Sequence, residues 1–185
     1  MNTDHLVAIR IVSSEAARAH AGSFRKDGVT PYIVHPARVA SLAAYFGGDH
    51  LAVLSAWLHD VFEDCGDGAC LRARTAIDTL PLPQDDIRKI HAITAALTKN
   101  PDLPKEARIP DSLERILRAP PEAVLVKVCD RIDNLIDADF HDKEFRSFYY
   151  QKSDLVAVTL RAAARTAGYR QAIETLDRIL GRMPE

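Results

Sequence analysis

An apolar run and a cluster of acids lie back to back in this chain, and together they constrain its fold. Residues 51–58, LAVLSAWL, are almost entirely apolar and are followed directly by His59, Asp60, Glu63 and Asp64. In a helix, side chains three and four positions apart share a face, so the histidine and the acids are expected to form one patch. An apolar run of this kind belongs in a core, where carboxylates and an imidazole are costly without compensation. The segment therefore predicts a buried helix whose end carries a divalent metal site.

The other interpretation of a single His-Asp pair is a solvated helix end, so matching ligands are needed elsewhere. The segment 127–137, KVCDRIDNLID, supplies them. Asp130, Asn134 and Asp137 follow at i, i+4 and i+7, a helical stripe that Lys127 continues. An exposed amphipathic face would give the same spacing, but the neighbouring valines, isoleucines and leucines leave little room for one. We therefore expect a site for a phosphorylated substrate here, with Lys127 as a candidate contact for its negative charge.

Three helices then offer metal ligands that can converge on one ion. The candidates are His35, His59, Asp60 and Asp130. Two imidazoles and two carboxylates suit Mn²⁺ in an octahedral shell with room for water and a substrate oxygen, although Fe²⁺, Co²⁺ and Zn²⁺ accept the same ligands. Such an ion lowers the pKa of its water and polarises a phosphoryl oxygen. Glu63 and Asp64 would then be free for proton transfer.

Helical periodicity extends through the rest of the chain and predicts an all-α fold, a single irregular bundle. The residues 124–128, VLVKV, would also suit a strand, but Pro121 at a helix start and the spacing of the polar residues favour a helix. No repeat or linker is visible, and 185 residues form most simply one domain, 1–185. Besides the buried helix that leads to His59 and Asp60, helices are expected over residues 4–21, 31–46, 71–80, 84–98, 105–118, 122–138, 142–168 and 169–182, with a loop over 65–70.

Composition argues against several classes of protein. The net charge of −2 and the pI near 6.4 provide no overall basic field, so a nucleic-acid polymer is not an expected partner. Three cysteines without zinc-type spacing indicate no disulfide framework. A signal peptide is not expected at the N-terminus, and no apolar run approaches the roughly 18 residues that span a bilayer. We therefore expect a cytoplasmic protein without a membrane partner, whose oligomeric state stays open.

Four segments of this sequence resemble a known family. Arg25-Lys26, residues 28–36 (GVTPYIVHP), 58–64 (LHDVFED) and 126–135 (VKVCDRIDNL) are similar, in order and spacing, to the HD-domain metal phosphohydrolases. The closer resemblance is to the (p)ppGpp hydrolase domain of the RelA/SpoT family and to its stand-alone small alarmone hydrolases. It covers roughly residues 19–150. A single His-Asp doublet occurs in many proteins, but the combination of these segments is specific to this family.

The resemblance implies an HD-domain bundle, a role for each matching residue and a reaction. The four candidate ligands named above match the family's Mn²⁺ ligands, and Glu63 and Asp64 match the acid pair that manages the proton and the attacking water. The contacts to the nucleotide are implied to be Arg25, Lys26, Asn134 and Tyr149, with Tyr150 as the alternative tyrosine. The implied reaction removes the 3′-pyrophosphate from guanosine tetra- or pentaphosphate, giving GDP or GTP and pyrophosphate.

The sequence also departs from the family's pattern. Ile136 stands where a basic residue is usual, and Asp137, in place of a threonine, adds negative charge near a polyanionic substrate. With the chain ending at Glu185, synthesis of the alarmone is not expected. Two other functions stay open: an HD phosphohydrolase for another nucleotide, either a 5′-monophosphate nucleotidase or an NADPH phosphatase, and a catalytically silent nucleotide-binding module. The intact set of ligands and acids argues against the silent module.

Overall fold

The computed structural model describes residues 3–138 and 143–182. These residues form ten helices and no strand, with one isolated antiparallel bridge between Phe24 and Pro31, so the predicted all-α fold is confirmed. In this part of the chain no helix combines the length and the apolar composition that crossing a bilayer requires. The helices are α1 (Thr3–Ala19), α2 (Val34–Tyr45), α3 (His50–Leu58), α4 (Val61–Asp64), α5 (Asp67–Asp78), α6 (Gln84–Leu97), α7 (Arg108–Arg118), α8 (Glu122–Ala138), α9 (Lys143–Thr166) and α10 (Arg170–Leu180).

Helix α8 is the central helix of the bundle. It packs against α2, α3, α6, α7, α9 and α10, and the segment that could have been a strand is buried helix. Helix α3 packs against α8 and is covered on its other sides by α1, α2 and α6. Four polar residues of α8 are nevertheless buried, so each needs a partner within the protein. They are Lys127, Asp130, Asp133 and Asn134.

The predicted continuous helix through the His-Asp pair is interrupted. Helix α3 ends at Leu58, His59 and Asp60 form a turn, and the single-turn helix α4 follows. In a continuous helix the Ala56 carbonyl would accept the amide of residue 60. Here it accepts a hydrogen bond from Nδ1 of His59 at 2.7 Å, because a carbonyl can only accept. The His59 ring is thereby fixed at the end of α3.

The residues 65–70, expected to be a loop, are largely helical. Helix α5 begins at Asp67 because Gly66 adopts an extended conformation, and its carbonyl accepts the amides of Ala69 and Cys70 at 2.9 and 3.1 Å. An aspartate in the first turn also stabilises the positive end of the helix dipole. The helices expected from residues 31 and 105 begin later, at Val34 and Arg108, and the expected start of α9 at residue 142 lies outside the described residues.

A tight connection fixes α3 against α2 and α8. Gly47 has a φ of +84°, in the left-handed region, and Asp49 accepts the Ala52 amide at 3.1 Å as the N-cap of α3. Between them, a Cβ on Gly48 would lie 2.6 Å from a methyl group of Leu125 and 2.8 Å from the Ala43 carbonyl. This close approach sets the positions of the helices that carry the predicted ligands.

Candidate active site

The two imidazoles predicted as metal ligands face each other inside the bundle. His35 lies in the first turn of α2 and His59 directly follows α3, and their Nε2 atoms are 3.3 Å apart. The other nitrogen of each ring is engaged: Nδ1 of His59 by the Ala56 carbonyl and Nδ1 of His35 by the Asp133 carboxylate, both at 2.7 Å. When the rings are neutral, both Nε2 atoms therefore direct lone pairs into one small volume, as a metal ion requires.

Two carboxylates adjoin the same volume. Oδ2 of Asp60 is 3.4 Å from Nε2 of His35 and 3.2 Å from Nε2 of His59. Oδ1 of Asp130 is 3.5 Å from Nε2 of His35. Ligand atoms of His35, His59 and Asp130 lie within 4.8 Å of one another, and Asp60 adjoins both rings of that group. Helix α2, the turn before α4 and helix α8 thus bring all four predicted ligands together.

Cations of its own helix keep Asp130 ionised. Lys127 Nζ donates to Oδ2 of Asp130 at 3.0 Å, and Arg131 Nη2 donates to Oδ1 and Oδ2 at 2.9 and 3.0 Å. Burial would raise the pKa of this carboxyl, but the charges of Arg131 and Lys127 hold the pKa well below its usual range. Asn134 Nδ2 donates to the Asp130 carbonyl at 2.9 Å and also contacts Oδ1. Two residues of the predicted polar stripe of α8, Lys127 and Asn134, therefore bind the carboxylate of Asp130.

The donor set fits a divalent cation. For Asp60, the charge of His59 and hydrogen bonds from both rings outweigh burial and hold the pKa well below its usual range. For His35, burial lowers the pKa, but hydrogen bonds to the surrounding aspartates outweigh it and raise the pKa well above its usual value. Buried carboxylates that stay ionised beside two ring nitrogens attract a cation into the space between them. Imidazole and carboxylate together are ligands for Mn²⁺, Fe²⁺ and Zn²⁺.

Glu63, expected to be free for proton transfer, is held by a lysine. Its carboxylate forms an ion pair with Lys99, which lies directly after α6, and the Lys99 amide donates to Oε2 of Glu63 at 3.3 Å. Burial lowers the pKa of Lys99, but the charge of Glu63 outweighs it and raises the pKa. The pair fixes Glu63 at the wall of the site, with a cation beside it.

Asp64 is connected to Asp60, one of the predicted metal ligands, through a tyrosine. The Tyr32 hydroxyl lies 2.8 Å from Oδ2 of Asp60 and 2.9 Å from Oδ2 of Asp64. A hydroxyl has one proton to donate, so the two carboxylates share it. Burial and the charge of Asp60 raise the pKa of Asp64, whereas the pKa of Asp60 is low. Tyr32 thus links Asp64 to Asp60, which is one of the predicted metal ligands.

Arg25 is anchored by an aspartate that departs from the family's pattern. Its Nε and Nη2 donate to Oδ2 of Asp137 at 3.0 and 2.9 Å, and Nη2 also donates to Oδ1 of Asn134 at 3.0 Å. Arg38 donates to the other oxygen of Asp137 at 2.8 Å. Two guanidinium groups therefore balance the negative charge that Asp137 adds near the site.

A cavity of about 410 Å³ opens beside these groups, and every predicted site residue except the buried His35 lines it. Near its wall, Lys26 Nζ lies 5.2 Å and Arg131 Cζ lies 6.0 Å from the ring centroid of Tyr149. Tyr150 is only 8% exposed and packs in the core. Of the two tyrosines left open by the sequence, Tyr149 is the one that lines the cavity.

Three residues with evident roles in this geometry were not predicted. Asp133 and Lys99 have partners 98 and 36 positions away, His35 and Glu63, and no local pattern connects such residues. Tyr32 lies in the segment PYIVHP, which carries part of the family resemblance. That segment was therefore the one available signal.

A model of the HD domain matches residues 13–165, a span that contains all four predicted ligands. The chain belongs to the HD-domain family. Membership of this family and the buried cluster of His35, His59 and Asp130 together indicate a divalent metal centre.

Several HD-domain relatives carry the name guanosine-3′,5′-bis(diphosphate) 3′-pyrophosphohydrolase. Human MESH1 is 33% identical over 125 residues, which are 66% of this chain and 64% of MESH1. A protein of Haemophilus influenzae is 55% identical over 49 residues, 26% of this chain and 7% of that protein. A protein of Aquifex aeolicus is 26% identical over 134 residues, 71% of this chain and 18% of that protein. The chain thus spans less than two thirds of the length of each of these relatives.

A solved structure has the same HD-domain fold. It is described as a metazoan orthologue of SpoT that hydrolyses ppGpp, and it superimposes with a TM-score of 0.72 at 22% identity. The match covers 99% of this chain and 98% of that one. The predicted HD-domain bundle is therefore confirmed.

Proposed function

We propose that this protein is a metal-dependent hydrolase that removes the 3′-pyrophosphate from guanosine tetra- and pentaphosphate. The observation that carries the proposal is the convergence of two imidazoles and two ionised aspartates beside an acid pair, on the wall of a cavity that also presents cations. Relatives named for this reaction, human MESH1 among them, support the choice of substrate. The proposal includes Mn²⁺ as the metal, a small nucleotide rather than a nucleic-acid polymer as partner, and a cytoplasmic location.

In the proposed reaction, water attacks the phosphorus bonded to the ribose 3′ oxygen, and the bond to that oxygen breaks. His35, His59, Asp60 and Asp130 would hold a divalent ion, which when bound would supply water of lowered pKa and polarise a phosphoryl oxygen. Glu63 receives the proton of the attacking water on its carboxylate, which the ion pair with Lys99 keeps at the cavity wall. Asp64, whose pKa is raised by burial and by the charge of Asp60, would deliver a proton to the leaving 3′ oxygen.

The remaining side chains position the nucleotide. Arg25 is held by Asp137 and Asn134 with its guanidinium at the cavity wall, where it contributes a fixed positive charge. Lys26 and Tyr149 form a neighbouring cationic and aromatic surface for the nucleotide. Lys127 is buried against Asp130, so its role is to hold that ligand in place as well as to attract the substrate.

The direct test is turnover of ppGpp by the purified chain with Mn²⁺, with pyrophosphate and GDP measured as products. Glu63→Gln should lower kcat by about 10²–10⁴-fold, the usual contribution of a general base, while Mn²⁺ binding measured by calorimetry is retained. Asp60→Asn should remove both turnover and metal binding. Glu114→Gln, an exposed glutamate of α7, is the matched control and should behave as the native chain. Normal turnover by Glu63→Gln would disprove the role given to Glu63.

The same assay separates the other functions. Phosphate release from a guanosine 5′-monophosphate, or from NADPH, in preference to pyrophosphate release from ppGpp would identify a different nucleotide substrate. Tight binding of ppGpp in the presence of Mn²⁺ without any product would identify a silent binding module. Either result would replace the proposed reaction while leaving the metal centre intact.

A further inference from the structure

His20 is a buried histidine that the proposed reaction does not use. It lies in the turn after α1 and is only 4% exposed. Its Nδ1 is 3.6 Å from Sγ of Cys65, the residue that follows Asp64 at the end of α4. Its Nε2 is buried without a hydrogen-bond partner among the described residues. Because an unpaired buried polar atom is unfavourable, hydrogen bonding alone does not account for a histidine at this position.

The ring of His20 packs against the ring of Tyr32. The ring centroids are 4.7 Å apart and the ring planes are inclined by 25°, which is a stacked arrangement. Both residues stand at the base of the loop between α1 and α2. There the Ser23 amide donates to the His20 carbonyl at 3.0 Å, and the Tyr32 amide donates to the Ser23 carbonyl at 2.9 Å. The backbone therefore holds the two rings side by side, and His20 covers one face of Tyr32.

Tyr32 connects this stack with the candidate active site. Its hydroxyl lies 2.8 Å from Oδ2 of Asp60 and 2.9 Å from Oδ2 of Asp64, and its side chain lines the main cavity. His20 is not among the described residues that line that cavity. Burial lowers the pKa of His20, although the charge of Asp60 opposes this, so the ring is neutral near pH 7. His20 therefore influences the site through the packing of its ring rather than through charge or contact with a substrate.

We propose that His20 is a positioning residue of the metal centre, whose ring holds Tyr32 so that the tyrosine hydroxyl keeps the carboxylate of Asp60 directed at the ion. Groups that hydrogen-bond a ligating carboxylate fix its orientation, and their loss weakens metal binding. Without a ring beside it, the Tyr32 side chain would regain rotational freedom that binding must then remove. The inference rests on the proposed function in taking Asp60 as a ligand of the ion.

The test is a double-mutant cycle on Mn²⁺ affinity, measured by calorimetric titration of the metal-free chain. Tyr32→Phe removes the hydroxyl and should weaken Mn²⁺ binding by about 10–100-fold, the usual effect of losing a group behind a metal ligand. His20→Ala should weaken it by about 10-fold, at the lower end of that range. In the Tyr32→Phe background His20→Ala should have no further effect. His20→Phe keeps a ring at this position and should retain the native affinity.

A second stacked histidine provides the matched control. His5, near the start of α1, stacks on His50 with ring centroids 4.0 Å apart, and His5→Ala should bind Mn²⁺ as the native chain does. His20→Leu fills the space without a ring and takes the place of His20→Ala if that variant does not fold. Native affinity in His20→Leu would overturn the proposal. Losses that add up in the double variant would overturn it as well, because His20 would then act by a route other than Tyr32.

Turnover of ppGpp gives a second readout. At a Mn²⁺ concentration that just saturates the native chain, His20→Ala should lower kcat by about 10-fold and leave KM unchanged, because His20 does not line the cavity. A raised KM with unchanged kcat would place His20 at the substrate and overturn its role as a positioning residue. If the native chain does not hydrolyse ppGpp, the proposed function fails, whereas the cycle on Mn²⁺ affinity still decides the role of His20.

Discussion

Asp133 acts on the metal centre although it is not one of the predicted ligands. Its carboxylate is 2.7 Å from Nδ1 of His35 and is only 3% exposed. A carboxylate in this position keeps the proton on Nδ1, so that the lone pair of Nε2 faces the site, and it makes the ring a more basic ligand. The neighbouring Asp130 was predicted from its spacing on α8. Asp133 was missed because its role depends on how α2 packs against α8.

Asp133→Asn should weaken Mn²⁺ binding by about 10–100-fold, the usual effect of losing a carboxylate behind a ligating histidine. An amide oxygen still accepts the Nδ1 proton, so the ring keeps its place and loses only the negative charge behind it. Calorimetric titration of the metal-free chain with Mn²⁺ measures the change. Asp177→Asn, which removes a carboxylate of α10 that pairs with Arg161 of α9, is the control. Equal affinities for native and Asp133→Asn would show that the contact has no influence on the ion.

At the scale of elements, hydrophobic periodicity predicted most helices but not their junctions. Helix α6 and helix α8 lie close to their expected positions, because long periodic segments bury a continuous stripe. The turn at His59 and Asp60 was not predicted, because it depends on a hydrogen bond from the His59 side chain to the Ala56 carbonyl. The early start of α5 was missed because glycine and aspartate are frequent both in loops and at helix starts. The junctions missed here include the one that carries two of the predicted metal ligands.

The junction between α2 and α3 is the element that we expect to tolerate least change. Gly48→Ala should lower the free energy of unfolding by about 1–3 kcal/mol, because the added methyl group overlaps the Leu125 side chain and the Ala43 carbonyl. Urea denaturation followed by circular dichroism measures the loss. Gly68→Ala, in the first turn of α5, meets only the end of Arg72 at 3.8 Å and should leave the stability unchanged or slightly raised. If Gly48→Ala proved as stable as Gly68→Ala, the junction between α2 and α3 would accommodate the added methyl group without a loss of stability.

At the scale of the whole molecule, periodicity alone predicted a bundle but not which helices meet. The order of the four ligands along the chain, and the segments that resemble the HD-domain hydrolases, supplied that information. The structure places His35, His59 and Asp130 within one cluster although they come from α2, the α3–α4 turn and α8. The preferences of single segments for helix or strand cannot predict this convergence, because it arises only when the helices pack against one another. One domain over residues 1–185 stays a prediction, supported by a hydrophobic core with members from α1 to α10.

If the chain is one domain, heat should unfold it in a single cooperative transition, and Mn²⁺ should move the whole transition upward. The ligands bridge helices far apart in sequence, so the ion binds the folded state alone and stabilises it by about 2.7 kcal/mol at a concentration 100 times its Kd. For a chain of 150–250 residues, each kcal/mol corresponds to roughly 2–4 °C in Tm. Scanning calorimetry with and without Mn²⁺ measures this, and Asp60→Asn should show one transition that Mn²⁺ does not move. Two transitions, of which Mn²⁺ shifts only one, would instead divide the chain into separately folding units, with the metal centre confined to one of them.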